Sequence, residues 1–74
     1  MSEYSHWDYR VLCDETGAYA FVEVYYATDG SIRAYTSEPA SPYGNCERDL
    51  ESDLEKMAEA LNKPTLYMED MPKD

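Results

Sequence analysis

The stretch Tyr-Ala-Phe-Val-Glu-Val-Tyr-Tyr-Ala at 19–27, followed by Thr28-Asp29-Gly30 and Ile32, constrains this chain more than any other feature. β-Branched and aromatic side chains suit a pleated, half-buried strand. Thr-Asp-Gly after such a run is a hairpin turn. Two registers are open. A two-residue Asp29-Gly30 loop pairs Ala27 with Ile32 and Val24 with Tyr35. A three-residue Thr28-Asp29-Gly30 loop pairs Tyr26 with Ile32 and Val24 with Ala34. A one-residue slip turns every side chain to the other face, so burial selects the register. The three-residue loop collects Ile32 and Ala34 on the face of Val22, Val24 and Tyr26, with Gly30 as the left-handed residue of a bulge. Phe21, Glu23, Tyr25, Arg33 and Tyr35 then share the opposite face.

The flanking segments supply the rest of a small domain. Trp7, Tyr9, Val11 and Cys13 alternate with Asp8 and Arg10, which predicts a strand over 7–13. Asp14-Glu15-Thr16-Gly17 is a turn in which Gly17 is free to take positive φ. A proline-punctuated connection runs from Glu38 to Gly44. Leu50, Leu54, Met57, Ala58 and Leu61 then recur at helical spacing and predict an amphipathic helix from about Glu47 to Leu61. Asn45 is the better N-cap, with Cys46 as the alternative. Asn62 can take a left-handed position past the end, and Pro64 prevents continuation. Leu66, Tyr67 and Met68 form a short strand or an extended segment.

The expected fold is α+β: a three-stranded antiparallel sheet in the order β-β-β-α, with one helix packed on one face. That face holds Val22, Val24, Ile32 and Ala34, joined by Trp7, Tyr9 and Val11, against the leucine stripe. Residues 1–6 read as a disordered N-terminus, 7–68 as the single domain and 69–74 as a C-terminal tail.

Length and charge narrow the function. With 74 residues, a chain buries about 60% of the surface its unfolded form exposes, which leaves little volume for a deep pocket. Sixteen carboxylates against six Lys and Arg give a net charge of −10. That excess opposes direct nucleic-acid binding and anionic membranes and favours solubility or a basic protein partner. The N-terminal sequence lacks the pattern of an export signal, so a cytoplasmic location is expected, in the chain's own cell or in a host cell if a phage encodes it. Cys13 and Cys46 lie far apart, outside any CxxC pattern, and are expected as thiols.

Two surfaces are candidates for partner binding. Glu47, Glu51, Glu55 and Glu59 recur at every fourth position of the helix, and such like-charge pairs cost about 0.2–0.5 kcal/mol each. The row is either a solvated helix face or an acidic docking stripe. Phe21, Tyr25 and Tyr35 on the outer sheet face form either a satellite cluster or a contact surface, including that of a possible homodimer. Catalytic and metal sites are not expected. His6 is the only histidine, and with Glu3 and Asp8 it lacks metal-ligand spacing. Neither cysteine has an evident histidine partner. There is no P-loop or GxGxxG, and no cofactor is implied.

Trp7 with Tyr9-Arg10-Val11, Glu23-Val24-Tyr25-Tyr26 leading to Asp29-Gly30, and Ala34-Tyr35-Thr36 with Pro39, Pro42 and Gly44 form a recurring pattern. It continues through Asp49-Leu50, Asp53-Leu54, Met57, Ala60-Leu61 and Lys63-Pro64. In these residues the chain resembles a group of small uncharacterised bacterial proteins over roughly residues 7–67. The resemblance implies one compact unit and carries no activity. That group tends to have Ser or Thr where this chain has Cys46. The element order is also similar to the β-β-β-α core of HicB-type antitoxins, an analogy of fold. The expectation is a small, acidic, non-enzymatic protein-binding module. One form is an inhibitor or DNA mimic acting on a basic nucleic-acid-handling protein, of anti-restriction, anti-CRISPR or antitoxin type. The alternative is a housekeeping homodimer built on the aromatic sheet face.

Overall fold

A computed structural model describes residues 6–72. Four strands and one helix follow in the order β1 (His6–Cys13), β2 (Tyr19–Tyr26), β3 (Ile32–Tyr35), α1 (Glu47–Glu59) and β4 (Leu66–Tyr67). The α+β class and the β-β-β-α order are as expected. The sheet, however, is mixed and four-stranded, in the order β3-β2-β1-β4, because β4 pairs in parallel with Leu12 and Cys13 of β1. None of the described helices is long and apolar enough to cross a membrane.

Both hairpin turns have the same chemistry. Gly30 (φ 89°) donates its N–H to Ala27 at 2.9 Å, and Ala27 donates to Ser31 at 2.9 Å, which is the expected three-residue loop with Tyr26 opposite Ile32. Gly17 (φ 91°) closes the first turn in the same way onto Asp14. The Asp14 carboxylate further accepts from the Thr16 N–H, the Thr16 hydroxyl and the Ala18 N–H. The Thr16 hydroxyl, then the backbone donors, hold that carboxyl below its ordinary range.

The helix lies on the opposite face from the one expected. In the β1–β2 register Tyr9 faces Glu23 and Val11 faces Phe21, so Tyr9 and Val11 share the face of Phe21, not that of the valines. Met57 and Ala60 pack on Tyr9 and Val11, with Phe21 and Ala40 beside them. Val22 and Val24 are buried on the other face with Leu12, Tyr26 and Met71, bordered by Ile32, Tyr35, Leu66 and Met68. The C-terminal segment, not the helix, therefore covers the valines. Met71 is only 5% exposed, so the tail read from residue 69 onward is wrong at least to residue 71.

Two local features go with this arrangement. β3 carries a bulge at Arg33, so Ala34 pairs with Tyr25 and Tyr35 with Val24, the reverse of the expected parity. The sequence 66–71 also offers Leu66, Met68 and Met71 to the valine face, leaving the helix the other side.

Helix termini differ in detail. Cys46 occupies the N-cap position (φ −155°, ψ 172°) and its side chain makes no capping bond, so Asn45 is not the cap. α1 ends at Glu59 and tightens into a 3₁₀ turn over Ala60–Asn62. The Lys63 N–H closes that turn onto the Ala60 carbonyl, and no described non-glycine residue has positive φ, so Asn62 is not left-handed. Gly44 lets the connection pass close to the helix start, since a Cβ there would lie 2.7 Å from the Asp49 carbonyl carbon.

Candidate interaction surface

Glu47, Glu51, Glu55 and Glu59 are all exposed along α1. On an α-helix each fourth residue advances about 6 Å and turns about 40°, so the four acids make a slow diagonal across the solvent side. The ion pair of Lys63 with Asp8 does not draw on any of them. Glu47 and Asp49 in the first turn face the positive end of the helix dipole, whereas Glu55 and Glu59 lie too far along to gain from it.

Phe21, Tyr25 and Tyr35 do not form one surface, and the expected aromatic face is corrected accordingly. Phe21 is half-buried against the helix-side cluster. Tyr25 shares that sheet face, its hydroxyl donates to Glu23, and its ring centroid lies 6.3 Å from that of Trp7. Tyr35 lies on the valine face, packed against the core there, and its hydroxyl donates to Met68 Sδ at 3.2 Å. The bulge at Arg33 and the position of the helix together separate the three rings.

The sequence marks Asp53 only by its place beside Leu54 in the recurring pattern. Its carboxylate accepts the Tyr9 hydroxyl at 2.8 Å through Oδ1 and the Tyr43 N–H at 2.8 Å through Oδ2. One side chain thus ties the helix to β1 and to the proline-rich connection. Burial, then the bond to Asp53 and its negative charge, push the Tyr9 phenol up to about 12. A usable signal was present: Asp53 falls on the same helix side as Met57 and Ala60, four and seven residues on.

That anchoring sets the rotation of the helix. With Asp53, Met57 and Ala60 turned to the sheet, Leu54 and Leu61, each one residue and about 100° past Asp53 and Ala60, fall on the flank of the helix. Leu50 is 44% exposed, Leu54 54% and Leu61 68%, although the sequence predicted them as the buried stripe. Ala60 is fully buried, and its small side chain permits close approach of the helix end to Tyr9 and Val11.

A polar network joins β1 to Tyr26 and to the chain just after the helix. Lys63 Nζ lies 2.6 Å from Asp8 Oδ2, the Tyr26 hydroxyl donates to Asp8 Oδ1 at 2.8 Å, and Arg10 donates to the Tyr26 hydroxyl at 3.0 Å and to the Pro64 carbonyl at 2.8 Å. The His6 ring stacks on Tyr26 with centroids 4.5 Å apart. His6 and Asp8 are therefore engaged in packing and pairing, while Glu3 lies outside the described residues. Among the described residues no group of three or more His, Cys, Asp or Glu is arranged to hold a metal. Cys13 is half-buried and Cys46 exposed, both as free thiols. No family model, curated protein or solved structure matches the chain.

Proposed function

We propose that the chain is a non-enzymatic protein-binding module that presents its acidic helix to a basic protein surface. Its partner class is a nucleic-acid-handling protein, which the module inhibits by occupying the surface that otherwise meets phosphates. The observation that carries this reading is the exposed row Glu47, Glu51, Glu55 and Glu59, in a chain of net charge −10. A fixed anionic row on a rigid helix attracts a basic groove at long range and speeds association. The row also lowers helix stability through like-charge spacing, so solubility alone is an inefficient reason for its placement.

The test is affinity capture from the native cytosol over a salt series, with wild-type protein and the triple variant Glu51→Gln, Glu55→Gln, Glu59→Gln. The reading expects a basic nucleic-acid-binding protein that the wild type retains at low salt, releases as salt rises, and that the triple variant does not retain. Equal retention by the triple variant would remove the acidic row from the function.

A further inference from the structure

Three of the chain's five leucines, Leu50, Leu54 and Leu61, are left 44–68% exposed on one side of the helix and the turn after it. Small domains are short of core, and every buried leucine adds to a thin margin. Leaving this strip uncovered forgoes that gain, and exposed apolar strips rimmed by charge mark interaction sites. On a helical wheel Glu47 and Glu51 lie next to Leu54, about 20° and 60° further round, with Glu55 beyond them. Apolar and anionic surface are thus continuous.

We propose that Leu50, Leu54 and Leu61, edged by Glu47 and Glu51, form the docking strip of this module, and that its occupant is a basic amphipathic helix whose apolar side chains are flanked by Lys and Arg. The inference rests on the acidic-helix reading above and adds the apolar anchor and the form of the partner. Charge complementarity selects the occupant. A second copy would bring two like glutamate rows together in a chain already at −10. An anionic bilayer would be repelled for the same reason. A cationic amphipathic helix meets both halves of the strip, its apolar ridge on the leucines and its basic rim on the glutamates.

The experiment is an NMR titration of the full chain with three probes: a fourteen-residue Leu/Lys amphipathic helical peptide, its Leu/Glu counterpart, and polylysine. The proposal expects the Leu/Lys peptide to shift the methyl signals of Leu50, Leu54 and Leu61 saturably, and to bind about ten-fold or more tighter than polylysine per chain, since covering half a leucine accounts for about a five-fold change. Leu54→Gln and Leu61→Gln should each weaken the peptide about five-fold while the protein stays folded, because these side chains are 54% and 68% exposed. Three results overturn the docking strip: Leu/Lys binding no tighter than polylysine, equal binding of the Leu/Glu peptide, or unfolding of the Gln variants. In the first of these, polylysine shifts at Glu51, Glu55 and Glu59 would leave the acidic-helix reading standing, and their absence would end that reading too. A concentration-dependent dimer in sedimentation, or binding to phosphatidylserine vesicles, would assign the strip to a second copy or to a lipid surface and would likewise overturn the proposal.

Discussion

Replacing Asp53 by Ala separates its structural role from its membership in the acidic surface, because the two roles predict opposite signs. If Asp53 were merely one more surface acid in a chain of charge −10, neutralising it would relieve repulsion and raise stability slightly. In the structure its carboxylate accepts two hydrogen bonds of 2.8 Å, from the Tyr9 hydroxyl and the Tyr43 N–H. Bonds to a charged acceptor contribute about 1.5–3 kcal/mol each when removal strands the donor; the bond from Tyr9 is part-buried and the one from the Tyr43 N–H is exposed, so the low end of that range applies to the first and water replaces the second at little cost. Asp53→Ala should therefore cost about 1.5–2 kcal/mol against a total of roughly 3–5 kcal/mol for a domain this small. Tyr9→Phe removes only the first bond and should cost about 1 kcal/mol. The double variant should show a coupling of about 1 kcal/mol, since both single changes break the same contact. Urea denaturation followed by Trp7 fluorescence measures all four corners. An Asp53→Ala midpoint equal to or above the wild-type value would refute the anchoring of the helix through Asp53.

Further outcomes follow from the same contacts. The Tyr9 phenol, raised to about 12 from an ordinary 10, is protonated in the folded state where the unfolded state has begun to ionise, so its contribution is intact below pH 10 and is lost between pH 10 and 12; denaturation midpoints over that window should fall in the wild type and fall less in Tyr9→Phe. Met71→Ala should cost about 2 kcal/mol or more by emptying a buried site beside Val22 and Val24, measured by thermal unfolding, where a loose tail would show no change. Cys46→Ser supplies the missing side-chain cap at the start of α1 and should raise stability by about 1 kcal/mol in the same assay.

Local rules made the hairpins legible. Asp-Gly and Thr-Gly turns with alternating neighbours specify their own geometry, and Gly30, Tyr26 and Ile32 take the expected positions. The choice of sheet face depended on information outside those windows. The bulge at Arg33 has no local sequence mark, and it moved Tyr35 to the valine side. Met68 and Met71 come late in the chain amid acids, so their claim on the valine face is visible only once β4 places them beside β1. The leucine periodicity correctly marked a helix, but periodicity alone cannot choose between a stripe turned inward and one turned outward. Asp53, hydrogen-bonded to Tyr9 and Tyr43, and Ala60, small enough to approach the sheet, settled that choice. The glutamate row was legible because helical spacing alone sets it, and all four side chains are exposed. The aromatic trio was not, because its coherence depended on the parity that the bulge reversed.

Methyl and aromatic nuclear Overhauser contacts of the helix test the face assignment most directly. The account requires cross-peaks from the Met57 methyl to the Tyr9 ring and the Val11 methyls, and from the Met71 methyl to Val22 or Val24. Cross-peaks from the Leu50 or Leu54 methyls to those of Val22 and Val24 would contradict it, since the leucines would then be core and the outward strip would not exist.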